Sequence, residues 1–342
     1  MGSGETAPTM KVPHRSVFER LDASGEPVDA VMLDTPFGFQ ENAPVLAEAT
    51  TKYFRDAVSR DVAVAGLART DTGDIAGVER ALSRVRDANW VFAGPGSPTF
   101  ALGQWRTTPV ADLLREKLTQ GGAVVFSSAA ALTLGAATVP VYEIYKVGMD
   151  PRWEPGLDLL STIGVNAAVI PHFDNQEGGN HDTRFCYLGE RRLRMLEPAL
   201  PDGAFVLGVD EHTGVVMDLD AGTAEIVGKG GLTLRRDGRS VRIETGETVP
   251  LDVIRAGGEI DHAAAVPAPP DRRPAATGGA AAGQTDAAET DDVELSLAAT
   301  AARLESEFDA AIDSGDASRA VAALLELDAV IVEWSADTLQ SD

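Results

Sequence analysis

The sequence predicts an α/β fold in which a mostly parallel sheet is covered by helices on both faces. Short, continuously apolar segments recur along residues 1–258, and segments with helical periodicity separate them. Strands buried on both faces of a parallel sheet are typically continuous apolar runs, and helices connect them. The alternation of the two kinds of segment therefore indicates a doubly covered parallel sheet.

The predicted elements alternate from the first apolar segment onwards. The predicted strands are 30–33, 62–67, 90–93, 123–126, 167–170 and 205–210. Between them, one helix is predicted to begin at Asn42 with Pro44 in its first turn, and others span about residues 75–85 and 108–119. Open sheets of this kind bind ligands beyond the carboxyl ends of their strands. The residues that follow each strand are therefore the candidates for a functional site.

Composition divides the chain of 342 residues into three zones. Residues 1–258 form the predicted α/β domain. Residues 259–291 consist almost entirely of Ala, Pro, Gly, Thr and Asp. They lack the large apolar side chains that would offset the entropy of ordering, so they are predicted to be a disordered linker. Residues 292–342 carry apolar residues at three-to-four spacing on both sides of a Ser-Gly-Asp break, which predicts a helical hairpin.

Charge and cysteine content exclude several classes of protein. The formal net charge is −24, and so much negative charge disfavours binding to nucleic acid and to anionic membrane surfaces. No apolar run reaches the roughly 18 residues of a membrane-spanning helix, and the amino-terminal segment lacks the pattern of a signal peptide. The single cysteine, Cys186, allows neither a disulfide framework nor a thiolate zinc site. We therefore expect a cytoplasmic protein that binds neither nucleic acid nor membranes.

Two serines stand where the strand 123–126 meets a helix-forming stretch. Residues 124–134 read Val-Val-Phe-Ser-Ser-Ala-Ala-Ala-Leu-Thr-Leu. This arrangement is typical of a nucleophile elbow, in which a hydroxyl side chain is exposed on a sharp turn between strand and helix. The elbow interpretation makes Ser128 a nucleophile. A serine at such a junction is more often a helix cap, so the elbow also requires a base and an orienting acid.

Both partners follow later predicted strands. His172 comes after the fifth strand and its closing proline, and Glu211 follows the sixth strand. The carboxyl ends of parallel strands lie at one edge of a sheet. We therefore expect Ser128, His172 and Glu211 to meet there as nucleophile, base and orienting acid.

Other residues are candidates for binding the substrate. The loop 94–98 follows the third predicted strand, and its N–H groups at Gly96 and Ser97 are expected to form an oxyanion hole with the N–H of Ala129. Arg184 is a candidate for holding a substrate carboxylate through a bidentate pair. A surface salt bridge is the alternative role for Arg184, and the sequence does not favour either.

Several residues compete for these roles. Ser127 is a rival nucleophile one position earlier in the chain. Asp210 competes with Glu211 for the orienting role and is also a candidate for contact with the substrate. Glu143 is a further rival acid, fifteen residues after Ser128.

A metal site is a third interpretation of the residues around His172. The segment contains His172, Asp174, His181 and Asp182, which are metal-ligand residue types. They lack a helical His-x-x-x-His spacing, however, and a glycine-rich loop lies among them. The sequence therefore predicts no metal and no other cofactor, and it favours a role for this loop in shaping a substrate pocket.

The motifs together resemble a known family. They comprise Gly2-Ser3-Gly4-Glu5, the loop at 92–102, the elbow at 126–131, the segment from Pro171-His172-Phe173 to Arg191-Arg192-Leu193, and Gly208-Val209-Asp210-Glu211-His212-Thr213. In order and spacing they are similar to motifs of the peptidase S51 family, the group of dipeptidase E and cyanophycinase. That family has the flavodoxin-like, class I glutamine-amidotransferase-like fold. The resemblance covers roughly residues 1–235.

The resemblance implies a Ser-His-Glu triad at Ser128, His172 and Glu211 that cleaves peptide bonds next to an acidic residue, usually Asp. Phe126 and Ala130 stand where the family has glycines beside the nucleophile. Pro95 and Pro98 likewise remove two N–H donors from the oxyanion loop. A glutamine-hydrolysing amidotransferase is disfavoured because that chemistry uses a cysteine at the elbow.

The sequence therefore predicts a serine hydrolase of the peptidase S51 type that acts on a peptide or a small amide. The alternative is a catalytically inactive, amidotransferase-like scaffold whose tethered hairpin, residues 292–342, binds a partner. Two short helices on a tether cannot bury both of their apolar stripes alone. We expect this domain, a second copy in a homodimer, or a different protein to cover them.

Overall fold

The computed structural model describes residues 1–25, 27–257, 266–267 and Arg303. Apart from Arg303, these residues belong to one unit, Met1–Pro274. The predictions of a linker at 259–291 and of a hairpin at 292–342 fall almost wholly outside the described residues. Within the described part of the chain, no helix is long and apolar enough to cross a membrane.

The first part of the domain alternates helices and strands, as the sequence predicts. Its elements are α1 (Lys11–Asp22), β1 (Ala30–Leu33), α2 (Ala43–Tyr53), β2 (Ala63–Val64), α3 (Ile75–Asp87), β3 (Trp90–Ala93), α4 (Pro98–Trp105), α5 (Val110–Gln120) and β4 (Ala123–Phe126). The four strands form a parallel sheet in the order β2-β1-β3-β4. The strand predicted at 62–67 is shorter than expected, and the Asn42 side chain does not cap α2.

Helices cover both faces of this first sheet. Alternate residues of each strand point to opposite sides, so apolar strands present apolar side chains to helices on both faces. Met32, Trp90 and Phe92 pack with Phe18 of α1 and with Phe54 just after α2. On the other face, strand residues pack against α3, α4 and α5, and this cluster includes Val31, Leu33, Val91, Leu82, Leu102 and Leu114. The doubly covered, parallel central sheet is therefore confirmed for the first four predicted strands, whereas the strands at 167–170 and 205–209 belong to another sheet.

The second part of the domain contains more antiparallel structure. Its elements are α6 (Ala129–Leu132), β5 (Ala137–Thr138), α7 (Val141–Tyr145), β6 (Glu154–Pro155), β7 (Ala167–Ile170), α8 (Gly189–Leu196), β8 (Phe205–Val209), β9 (Thr213–Asp218), β10 (Thr223–Gly228), β11 (Gly231–Arg236), β12 (Arg239–Glu244), β13 (Thr248–Pro250), α9 (Leu251–Arg255) and β14 (Val266–Pro267). The larger sheet has the order β14-β12-β11-β8-β7, and only β7 and β8 pair in parallel. The short strand β14 lies within the segment predicted to be a linker.

The amino-terminal residues lie between the end of β4 and the segment that follows β8. Met1 N donates to Phe126 O over 2.8 Å, and Ser128 N donates to Met1 O over 3.3 Å, which is the bonding pattern of a parallel ladder. On the other side of this amino-terminal segment, Gly2 N donates to Thr213 O over 2.8 Å. A side chain at Gly2 would lie 1.9 Å from Asp210 O, so only glycine allows this approach. The end of β4 is thereby held beside the residues that follow β8.

Candidate active site

Ser128 occupies a strained turn between β4 and α6. Its φ is 51° and its ψ is −123°. Residues other than glycine rarely adopt this backbone conformation, which costs of the order of 1–3 kcal/mol. Neighbouring hydrogen bonds hold the turn, from Ser127 N to Ala93 O and from Ala130 N to Gly94 O. The Ser128 side chain makes no capping bond to α6. The backbone therefore has the geometry of an elbow, and the hydroxyl is directed elsewhere.

The Ser128 hydroxyl contacts His172, which in turn contacts Glu211. Ser128 Oγ lies 3.0 Å from His172 Nε2, and His172 Nδ1 lies 2.7 Å from Glu211 Oε1. The carboxylate can only accept, so the bond to Glu211 places a proton on Nδ1 and leaves Nε2 to accept from the serine. The side chains of His172 and Glu211 are 20% and 27% exposed, so both are accessible from solvent. The structure therefore brings the three predicted residues together in one chain of hydrogen-bond contacts.

The loops after β7 and β8 position His172 and Glu211. The two strands are parallel neighbours, so His172 and Glu211 emerge side by side. Asp174 Oδ1 accepts from Glu211 N over 2.7 Å, and Phe173 N donates to Val209 O over 3.1 Å. Burial raises the pKa of the Asp174 carboxyl, and its hydrogen bond from the Glu211 N–H opposes that rise. Asn175, which the sequence analysis does not single out, also donates to Glu211.

The predicted oxyanion donors differ in their availability. Ser97 N donates to Pro36 O over 2.8 Å, so this N–H already has an acceptor and the structure does not support its predicted role. Ser97 Oγ instead caps α4 by accepting from Phe100 N. Among the described residues, the N–H groups of Gly96 and Ala129 have no hydrogen-bond acceptor. These two are the N–H groups that remain for a substrate oxyanion.

The rival nucleophile Ser127 is fully buried, and its hydroxyl donates to Glu5 Oε2 over 2.8 Å. It therefore points into the protein, whereas Ser128 points towards His172. The rival acid Glu143 is engaged by Thr99, whose hydroxyl donates to Glu143 Oε1 over 2.6 Å. Neither rival takes part in the contact chain of Ser128.

Asp210 lies beneath the site rather than in it. Its carboxylate is buried, and Oδ2 accepts from Gly231 N over 2.9 Å and from Arg242 Nη2 over 2.5 Å. A carboxylate buried in this way presents no oxygen to a substrate. The prediction of a substrate-binding role for Asp210 is therefore corrected to a structural role, in which this residue joins the end of β8 to β11 and β12.

Arg184 forms a bidentate salt bridge with Asp182. Its Nε and Nη2 donate to the two carboxylate oxygens over 2.8 Å and 2.7 Å, and its guanidinium lies 5.1 Å from the centre of the Phe185 ring. The geometry corresponds to the salt-bridge alternative. A substrate carboxylate would have to compete with Asp182 for this guanidinium.

The described residues contain no group of three or more His, Cys, Asp and Glu side chains that could hold a metal ion. Burial raises the pKa of the Cys186 thiol to about 12, so this cysteine is a poor nucleophile.

The departures from the resembled motif are accommodated locally. Phe126 points away from the elbow and packs against Trp105, with 5.8 Å between the centres of the two rings. Ala130 is buried in the first turn of α6. Pro98 begins α4, a position at which its missing N–H costs nothing. These substitutions therefore leave the turn at Ser128 intact.

A parallel α/β domain in which an elbow serine meets a histidine and a carboxylate at the strand ends is an arrangement that serine hydrolases use. The solved structure of a peptidase from an acI-B1 Actinobacterium is similar to this chain, with a TM-score of 0.59, 20% identity, and coverage of 73% of this chain and 94% of that one. The chain therefore has the fold of that peptidase. A candidate peptidase E protein from Listeria monocytogenes EGD-e matches with a TM-score of 0.40, 11% identity and the same coverage. No family model and no curated protein matches the sequence.

Proposed function

We propose that the protein is a serine hydrolase of the peptidase S51 type that cleaves a peptide or small amide bond. The observation that carries the proposal is the strained backbone of Ser128 combined with its 3.0 Å contact to His172. A helix cap requires neither a positive φ nor a histidine partner, and this serine caps nothing. Strain of this kind persists where the surrounding structure enforces it, often at functional sites.

The proposed reaction begins with the Ser128 hydroxyl. Oγ attacks the carbonyl carbon of the substrate while His172 Nε2 takes the hydroxyl proton. The new C–O bond converts the carbonyl into a tetrahedral oxyanion. When that intermediate collapses, the C–N bond breaks and the leaving amine takes the proton from Nε2. Water then attacks the acyl-serine with the same base, which releases the acid and restores Ser128.

Glu211 and two backbone N–H groups support these steps. The Glu211 carboxylate holds the Nδ1 proton and stabilises the imidazolium that forms during each proton transfer. Gly96 lies in the loop between β3 and α4, and Ala129 begins α6 directly after Ser128. Their free N–H groups are suited to stabilise the oxyanion. Removing one such donor typically costs about 10²–10³-fold in kcat.

The resemblance to the S51 family suggests a scissile bond next to an acidic residue. Arg184 is the proposed contact for the substrate carboxylate. This assignment requires Arg184 to exchange one of its bonds to Asp182 for a bond to the substrate. A comparison of Asp-Xaa with the isosteric Asn-Xaa dipeptides tests it, since only the former carries the charge that the guanidinium would recognise.

A fluorophosphonate probe and dipeptide hydrolysis together test the proposal. We expect the wild-type protein to be labelled at Ser128, and Ser128→Ala to lose both labelling and at least about 10⁴-fold of its turnover. Ser127→Ala is the matched control because it removes the neighbouring hydroxyl and leaves the contact to His172. Unchanged turnover in Ser128→Ala would exclude the triad. A folded wild-type protein that no probe labels would favour the inactive scaffold.

A further inference from the structure

Asn175 is a buried residue, 1% exposed, in the same loop as His172. Its Nδ2 donates to Glu211 Oε1 over 3.2 Å, and its Oδ1 accepts from Glu177 N over 3.1 Å. Its backbone N donates to His172 O over 3.2 Å. The side chain therefore connects the acid of the triad to the loop that carries the base.

The orientation of the Asn175 amide follows from its two partners. A carboxylate only accepts hydrogen bonds and a backbone N–H only donates, so Nδ2 must face Glu211 and Oδ1 must face Glu177. Reversing the amide would break both bonds and place its oxygen against a carboxylate oxygen. Asparagine thus fits this position because it supplies a donor on one side and an acceptor on the other.

The bond from Asn175 reaches the same carboxylate oxygen that His172 uses. Glu211 Oε1 accepts from His172 Nδ1 and from Asn175 Nδ2, while the backbone N of Glu211 donates to Asp174. A glutamate side chain has three rotatable bonds, and a single contact to an imidazole would leave them weakly restrained. The second donor restrains the Oε1 position that defines the direction of the His172 ring.

We propose that Asn175 is a positioning residue that completes a Ser128–His172–Glu211–Asn175 array. It acts through Glu211: by holding Oε1 in place, it keeps the imidazole directed at the serine. This inference rests on the proposed hydrolase function for its kinetic consequences, but the contact to Glu211 is independent of that function.

Two near-isosteric variants and one matched control test the role in catalysis. Asn175→Leu removes the donor, and Asn175→Asp replaces it with a second carboxylate facing Glu211. We expect kcat to fall by roughly 10²-fold in Asn175→Leu and further in Asn175→Asp, with KM nearly unchanged, because misplacement of a catalytic group lowers the rate of the chemical step. The control is Asn166→Leu, since Asn166 is exposed and donates to Asp202 O away from the site.

A spectroscopic readout separates positioning from a merely structural role. In the folded wild-type protein, the Nδ1 proton of His172 should give a strongly downfield NMR resonance, as expected for a short bond to a carboxylate. The resonance should move upfield or broaden in both Asn175 variants and persist in Asn166→Leu. If a variant does not fold, the wild-type Asn175 side-chain amide signal must still shift when Glu211→Gln is introduced.

The two proposals fail in different ways. Wild-type kcat and an unchanged His172 resonance in folded Asn175→Leu would overturn the positioning role while leaving the hydrolase intact. An unlabelled wild-type protein would overturn the hydrolase, and the resonance would still decide whether Asn175 orients the imidazole.

Discussion

The carboxylate of Glu5 accepts a 2.8 Å hydrogen bond from the hydroxyl of Ser127, although the two residues are 122 positions apart. His14 Nε2 lies 2.8 Å from the backbone oxygen of Glu5, which can only accept, so this nitrogen carries the proton. The two adjacent serines therefore have separate roles. Ser127 ties the elbow to the amino-terminal segment, and Ser128 faces His172.

Ser127→Ala should lower the stability of the protein without abolishing its labelling. The substitution leaves Glu5 Oε2 without its partner, and a hydrogen bond to a charged group contributes about 1.5–3 kcal/mol. We expect the free energy of unfolding in urea to fall by about that amount while the fluorophosphonate still labels Ser128. Loss of labelling at unchanged stability would show that the two serines had been assigned in the wrong order.

Ser128→Gly should be more stable than Ser128→Ala by about 1 kcal/mol, although both are inactive. Glycine adopts a φ of 51° without the steric cost that alanine shares with serine. Urea unfolding of the two variants measures the difference. Equal stabilities would mean that the turn at Ser128 stores little strain in solution.

Gly96→Ala should damage the oxyanion loop. Gly96 has a φ of 143°, and an added Cβ would lie 2.0 Å from Pro36 O, so the loop must move. We expect a loss of more than about 1 kcal/mol of stability and slower labelling of Ser128. Gly103→Ala is the control within α4, where an added Cβ meets nothing within 4 Å, and it should raise stability by up to about 1 kcal/mol. Faster labelling in Gly96→Ala would contradict the proposed oxyanion hole.

Arg235→Met should be strongly destabilising, and Arg194→Met should not. Both arginines pair with Glu190, but the Arg235 side chain is 1% exposed and also binds Glu197, whereas that of Arg194 is 58% exposed. Removing Arg235 takes the buried cation away from two buried carboxylates and leaves Glu190 with only the exposed Arg194, which costs about 3–5 kcal/mol. An exposed pair contributes about 0–1 kcal/mol. Denaturation of the two variants should therefore differ by several kcal/mol, and similar losses would show that burial of Arg235 has no such effect.

His14 should make the protein less stable as the pH falls from about 6.5 to about 4. Burial lowers the pKa of His14 from 6.5 to about 4, so the unfolded chain binds a proton in this range that the folded chain rejects. The free energy of unfolding should fall by roughly 3 kcal/mol across the window from this residue alone.

Urea unfolding between pH 4 and pH 7.5 checks this contribution. His14→Gln, whose amide can still donate to Glu5 O, should show a shallower dependence on pH. His181→Gln should keep the wild-type dependence because His181 is exposed. A wild-type slope in His14→Gln would assign the acid sensitivity to other groups.

The parallel strands could be predicted from their apolar sequence. Ala30–Leu33, Trp90–Ala93, Ala123–Phe126 and Ala167–Ile170 are continuous apolar runs, and the structure gives them the predicted bounds. The antiparallel strands after residue 210 have no such run, and β9, β10 and β12 are partly exposed. Their clearest sequence signal is Asp237-Gly238, which connects β11 and β12 with φ values of 50° and 72°. That pair is typical of a two-residue hairpin turn.

Only those residues of the site that directly follow a strand could be predicted from the sequence. Ser128, His172 and Glu211 each follow a parallel strand, and sheet geometry places His172 beside Glu211, whereas the contact of Ser128 with His172 also depends on how the two sheets meet. The contact of Asn175 depends on the path of a loop, and the burial of Asp210 depends on Arg242 of an unpredicted strand. The same holds for the Ser97 N–H, whose acceptor, Pro36 O, belongs to a short 3-10 helix after β1.

The contacts among Ser128, His172 and Glu211 are divided between two separate sheets. His172 and Glu211 follow neighbouring strands of one sheet, so the distance between them is internal to that sheet. Ser128 follows β4 of the other sheet, so its 3.0 Å contact with His172 spans the boundary between them. The rate at which the probe labels Ser128 therefore reports how well the two sheets keep their relative position. Mild pressure or denaturant that loosens this boundary should abolish the labelling of Ser128, while the contact between His172 and Glu211 persists.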